Sequence, residues 1–147
     1  YDAVCYCDIL GHAQQKRNTF WHKVYKHLQG ILLNRPTHVY DYGKHYKELI
    51  GEIDKDENVI PQIVPQWDHS PRGGRKTNIY INSTPENFAK HVRMAMEAIK
   101  GKKEEHQILM LKSWNEWAEG NYMEPDLTHG RGYIEALRKV VEEYKDK

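Results

Sequence analysis

Between Ser113 and Asp126 the chain reads Ser-Trp-Asn-Glu-Trp-Ala-Glu-Gly-Asn-Tyr-Met-Glu-Pro-Asp, a run in which carboxylates, indoles and side-chain amides dominate. Glycosidic chemistry requires two carboxyl groups. One is kept protonated to assist the departing oxygen, and the other is ionised to act as base or nucleophile. Glu116 and Glu119, three residues apart, can line one pocket if the backbone turns between them. Apposed carboxyls in an indole-walled cleft would also separate in pKa, which divides the acid from the base. Tryptophan in a polar loop is costly unless its face is used, and the C–H surface of a sugar ring can stack on it. An isolated Glu-x-x-Glu is ordinarily a hydrated surface turn; the flanking Trp114, Asn115, Trp117 and Gly120 argue otherwise here.

The elements that must carry this run follow a repeating order. Val59–Pro65 is a short apolar run suited to a strand buried on both faces, although its prolines each remove a ladder donor. The polar stretch Gln66–Ser83 follows it and reads as a long loop containing Trp67-Asp68-His69-Ser70-Pro71-Arg72-Gly73-Gly74-Arg75. Thr84 then caps a helix, with Pro85 in its first turn, Glu86 against its dipole and a stripe of Phe88, Val92, Ala95, Met96 and Ile99 before Gly101. Gln107–Leu111 is the next buried strand, Ser113–His129 the next long loop, and a last helix begins near Arg131 with Ile134, Leu137, Val141 and Tyr144 on its stripe. Upstream, Ala3–Leu10 reads as a strand, residues 12–36 as a long polar loop or short helical excursion, Thr37–Tyr42 as a short strand and Lys44–Ile53 as a helix. Alternating strand, loop and helix predict an α/β fold built of βα units on a parallel sheet. The connections after the strands are long and rich in functional groups, while Gly101–His106 before the last strand is short and plain. In (β/α) barrels the loops after the strands build the active site.

Composition narrows the function classes. With 22 basic and 21 acidic residues mixed along 147, the chain carries no basic stripe for nucleic acid. No apolar run approaches the roughly 18 residues of a spanning helix. The nine histidines form no His-x-x-x-His pair and join neither cysteine at zinc-like spacing, so no metal is expected. Cys5 and Cys7 are expected as buried thiols in a reducing compartment. Gly73-Gly74 and Gly130-Arg131-Gly132 lack the glycine pattern of a nucleotide site, and no cofactor is expected. Tyr1 opens directly onto an apolar run, which reads as a cut inside a larger protein, and a cytoplasmic location is the default.

The string Trp114-Asn115-Glu116-Trp117-Ala118-Glu119-Gly120, continuing through Asn121-Tyr122-Met123-Glu124-Pro125-Asp126, resembles the signature of WbsX-like glycosyltransferases of polysaccharide or lipopolysaccharide biosynthesis in bacteria, which are related to glycoside hydrolase family 99, the endo-acting α-mannosidases. Pro65–Arg72, Ser83–Phe88 and Gly132–Leu137 are similar to the same family, with the match thinner over residues 1–58. The resemblance implies a (β/α)8 TIM-type barrel of which this single-domain chain, 1–147, supplies the C-terminal half. It implies that Glu116 deprotonates the sugar 2-hydroxyl and that Glu119 is the general acid/base. Trp67, Asp68, Arg72, Asn115, Trp117 and Tyr122 would form the sugar-binding shell. The implied partners are an oligosaccharide or polysaccharide substrate and the missing N-terminal half of the barrel. Transfer and hydrolysis both remain open to such a site. The competing readings are a glycan-binding module without turnover and an inactive barrel fragment. A half barrel leaves sheet edges unpaired, so the chain alone is expected to need its other half, to self-associate or to be inactive.

Overall fold

The computed structural model describes residues 3–5, 20–32, 36, 38–74 and 77–145. Strands and helices are mixed throughout, giving the α/β character expected. The strands are short: β1 (Val4–Cys5), β2 (His38–Asp41), β3 (Val59–Ile60), β4 (Gln62–Ile63), β5 (Asn78–Ile81), β6 (Met110–Leu111), β7 (Asn115–Glu116) and β8 (Asn121–Tyr122). Pairing is parallel for β1 with β3, β2 with β5, and β4 with β6, and antiparallel for the β7–β8 hairpin. These ladders are two-stranded, and the described residues form no closed barrel.

Proline explains the split between β3 and β4. Pro61 has no N–H for the ladder, yet its carbonyl still accepts from the Met110 amide at 2.9 Å, and Ile63 accepts from Lys112 at 2.9 Å. The apolar run therefore stays extended and joins β1 on its first half to β6 on its second.

The helices are α1 (Phe20–Leu32), α2 (Tyr42–His45), α3 (Ser70–Gly73), α4 (Pro85–Ile99) and α5 (Gly132–Tyr144). Helix α4 begins as expected, with Thr84 accepting from the Asn87 amide at 3.3 Å. Its buried face is Phe88, Ala89, His91, Val92, Ala95, Ala98 and Ile99. Helix α5 packs alongside it, and Arg93 grips Glu143 through Nε and an Nη group, both at 2.8 Å. The buried positions of α5 are Tyr133 and Val140, whereas Val141, expected on the core stripe, is 37% exposed. Ile134, Leu137 and Tyr144 pack against the core as expected, and Tyr133 joins them with its ring against Phe88 at 5.7 Å. Around these helices the core gathers Tyr40, Tyr42, Ile63, Val64, Trp67 and Tyr80 from the strand segments.

Four expectations are corrected. The helix over Lys44–Ile53 is instead α2 followed by short turns at Tyr46–Glu48 and Glu52–Lys55, because the intervening Gly51 is fully extended and Asp54 caps its amide at 2.7 Å. The strand over Gln107–Leu111 shrinks to β6, with Ile108 and Met110 nearly half exposed and one neighbouring strand, β4, to pair with among the described residues. The loop Gln66–Ser83 contains both α3 and β5, so the chain makes a strand where polar residues suggested only a connection. Cys5 is exposed, not buried, because β1 sits at the margin of its ladder; Gln62 Nε2 reaches its Sγ at 3.0 Å. Cys7 and most of the Ala3–Leu10 strand lie outside the described residues.

Candidate functional site

Two of the post-strand segments meet. The chain leaves β4 through Trp67 and leaves β6 through Ser113, and the Asp68 amide donates to the Glu119 carbonyl at 2.9 Å. Gly120 makes that approach possible. Its φ is +52°, a left-handed value that disfavours a side chain, and a Cβ there would meet the Asp68 Cβ at 2.8 Å. The Asp68 carboxylate is itself engaged locally, accepting from the Ser70 amide at 2.9 Å and so opening α3. Helix α3 then carries Arg72 back toward the other segment.

The second segment is a hairpin closed around a buried amide. Asn121 is fully buried; its Oδ1 accepts from the Ser113 amide at 2.6 Å, and its carbonyl accepts from the Ser113 hydroxyl at 2.9 Å. The Lys112–Ser113 peptide beside it is cis. Trp114 contributes its carbonyl to the Met123 and Glu124 amides at 2.8 and 3.3 Å, which holds the return strand in place. Pairing of Asn115 with Tyr122 and of Glu116 with Asn121 fixes the hairpin, and the turn Trp117–Glu119 projects from its tip.

The consequence is a cluster of charge. Arg72 Nη1 donates to Glu119 Oε1 at 2.8 Å, and its Nη2 lies 3.5 Å from Glu116 Oε1. His69 Nε2 lies 3.4 Å from the same Glu119 oxygen. Both carboxylates therefore face one guanidinium, with Glu119 the more enclosed (side chain 16% exposed against 41% for Glu116). Next to them the Trp117 and Tyr122 rings stack with centroids 3.7 Å apart and planes 14° off parallel. Glu124 steadies the platform by accepting from the Trp117 indole N–H at 2.6 Å. Burial, together with the Asp126 charge, holds the Tyr122 hydroxyl above its ordinary pKa, so it stays a neutral group.

Trp67 stands apart from this platform. It is buried at 8% exposure, its ring parallel to His69 at 5.9 Å, with Lys112 Nζ over its face at 5.3 Å. Its Nε1 and the Asn121 Nδ2 are buried donors that meet no acceptor among the described residues. Of the residues singled out from sequence, Glu116, Glu119, Arg72, Trp117 and Tyr122 gather here; Asn115 is exposed on the hairpin, and Asp68 and Trp67 sit behind the cluster as supports. His69, Lys112, Asn121 and Glu124 join the arrangement without having been singled out. The signal for His69 lay in its place between Asp68 and Arg72; that for Asn121 lay in an amide directly after a turn glycine. Among the described residues no group of His, Cys, Asp or Glu is arranged to hold a metal ion.

An α/β chain with acidic and aromatic residues collected on two post-strand segments is the class these observations define. The chain belongs to the Glycosyltransferase WbsX family, whose description matches residues 2–137. It is similar to the Uncharacterized protein WxcX of Xanthomonas campestris pv. campestris strain B100, with 27% identity over 104 residues, 70% of this chain and 15% of that protein. The protein of the same name from a second strain of that pathovar is 29% identical over 101 residues, 65% of this chain and 14% of the relative. The chain thus spans a small part of the length of these curated relatives. No solved structure matches it. Membership of the family supports a role in carbohydrate chemistry.

Proposed function

We propose that the chain contributes the acid–base end of a sugar-transfer or sugar-cleaving site acting on α-linked glycans, in the metabolism of lipopolysaccharide or another cell-surface polysaccharide. The observation that carries this reading is the meeting of Glu116 and Glu119 at one guanidinium beside the Trp117–Tyr122 stack. A sugar ring seated on the exposed side of Trp117 presents its polar edge to those carboxylates. Glu119, the more enclosed of the two, protonates the departing glycosidic oxygen and then activates water or an acceptor hydroxyl. Glu116 takes the proton of the 2-hydroxyl, as the resemblance to glycoside hydrolase family 99 implies. Arg72 pairs with both side chains at rest; its 53%-exposed side chain shifts off Glu119 as the sugar's hydroxyls enter, and Glu119, released from that ion pair, takes from solvent the proton it then gives to the departing oxygen.

The half-barrel architecture belongs to the same proposal. Parallel sheets are normally covered on both faces, yet Val4, Ile81 and Met110 on β1, β5 and β6 are each about half exposed. Further barrel strands and helices would cover them and wall the other side of the cleft.

The test separates catalysis from binding. Glu116→Gln and Glu119→Gln should each abolish turnover of α-mannan-type or O-antigen oligosaccharides while saturable binding persists. Saturable binding with no turnover by the unaltered protein would favour the glycan-binding module, and no binding at all would favour an inactive fragment.

A further inference from the structure

Glu119 Oε1 is met by two cationic side chains at once, Arg72 Nη1 at 2.8 Å and His69 Nε2 at 3.4 Å. The two differ in what they can do for a general acid. A guanidinium does not release its protons in a protein, so Arg72 can hold the carboxylate but cannot protonate it. An imidazole both takes and gives a proton near neutrality. Lys112, the next basic side chain, has its Nζ over the Trp67 ring at 5.3 Å. Once Arg72 shifts off Glu119, His69 is the proton-bearing group left at that oxygen. The separation of 3.4 Å can then close to hydrogen-bond length, as catalytic contacts commonly do when a ligand arrives.

The local fold holds the ring for this purpose. His69 precedes α3, and its carbonyl accepts from the Arg72 and Gly73 amides at 3.2 and 2.9 Å, so both basic side chains ride on one turn. The ring lies against the buried Trp67 indole, with centroids 5.9 Å apart and planes 19° off parallel, which fixes its plane. Gly73 leaves room for the other ring nitrogen, since a Cβ there would come within 2.9 Å of Nδ1. The His69 side chain is 30% exposed against 16% for Glu119, so water reaches the ring more readily than the carboxylate.

We propose that His69 is a positioning residue that acts through Glu119, the relay by which a proton passes between solvent and that carboxylate; the proposal rests on the acid–base reading of Glu119 given above. The imidazolium breaks its Nε2–H bond as the Oε1–H bond of Glu119 forms, and the neutral imidazole left behind regains its proton from water. When the product leaves and Arg72 returns to Glu119, the proton goes back by the same path.

The experiment measures kcat/KM of the full chain on two probes, an α-mannan oligosaccharide and the dinitrophenyl glycoside of α-mannobiose, whose phenolate departs without a proton. His69→Phe keeps a ring on Trp67 but carries no proton. It should lower kcat/KM for the oligosaccharide about a hundredfold, while turnover of the dinitrophenyl glycoside and the melting temperature stay unchanged. Added imidazole should restore activity on the oligosaccharide to His69→Ala. An equal loss on both probes would make His69 a structural support and overturn the relay alone, as would a His69→Phe variant as active as the parent. A parent that turns over neither probe would overturn the acid–base reading and the relay together.

Discussion

Arg72 reaches two carboxylates from a segment far from both in sequence, and it does so with two different nitrogens. A planar fork can face two acids at once in a way that a lysine ammonium cannot. Because Arg72 sets where the two glutamate side chains rest before the sugar enters, Arg72→Lys is expected to lower kcat/KM by about tenfold and Arg72→Ala by about a hundredfold, with the folded state unchanged by circular dichroism because the side chain is half exposed. The Trp117 indole is held by Glu124 and stacked on Tyr122. Trp117→Ala should weaken glycan affinity about tenfold, or ~1.4 kcal/mol, and titration calorimetry of the parent and variant would measure it. The glutamates were legible in the sequence because their neighbours are so unusual a mixture. His69 and Lys112 were not, since a histidine or lysine gains its meaning there only from the ring or carboxylate that folding brings beside it.

At the scale of elements, the site depends on how closely two loops can approach. Gly120 combines a positive φ with a Cβ position 2.8 Å from the Asp68 side chain. Gly120→Ala should cost about 2 kcal/mol or more in denaturant-induced unfolding and should lower turnover further than that loss alone, by moving Glu119. Helix α4 offers the contrasting case. Thr84→Ala removes a cap remote from the carboxylates and should cost about 1 kcal/mol while leaving kcat unchanged. That helix was readable because cap, proline and apolar stripe all agree on one answer. The segment after Tyr42 was not, because its apolar spacing is helical while Gly51 is extended and breaks the run. The four-residue strand β5 lay hidden for another reason: its pairing with β2 and its contact with Trp67 are long-range, and Asn78-Ile79-Tyr80-Ile81 is too short to show a period.

At the scale of the whole molecule, one buried histidine links the strand core to α4. Tyr42 donates its hydroxyl to the Val64 carbonyl at 2.6 Å, so His91 Nδ1, 2.8 Å away, is the donor to Tyr42, and His91 Nε2 meets no partner among the described residues. Burial pushes the His91 pKa down to about 4 from 6.5. The unfolded chain therefore binds the proton more readily between those values. Stability is fully present above pH 6.5 and is lost as pH falls toward 4, by about 3 kcal/mol in all. Urea unfolding across that range should show the loss, and His91→Phe should flatten it. The α/β alternation of the molecule was legible because strand, loop and helix recur in order. The closed barrel that the resemblance implies is not formed by the described residues, whose ladders are two-stranded; strand closure is a long-range property that no local pattern encodes.

The central claim is that Glu116 and Glu119 serve one sugar. A crystal structure of the Glu119→Gln variant with an α-linked oligosaccharide tests it most directly. The expected result places a ring against Trp117, its glycosidic oxygen about 3 Å from the residue 119 side chain and its 2-hydroxyl at a similar distance from Glu116. A glycan bound away from both side chains, with Arg72 still lying against Glu116, would contradict it.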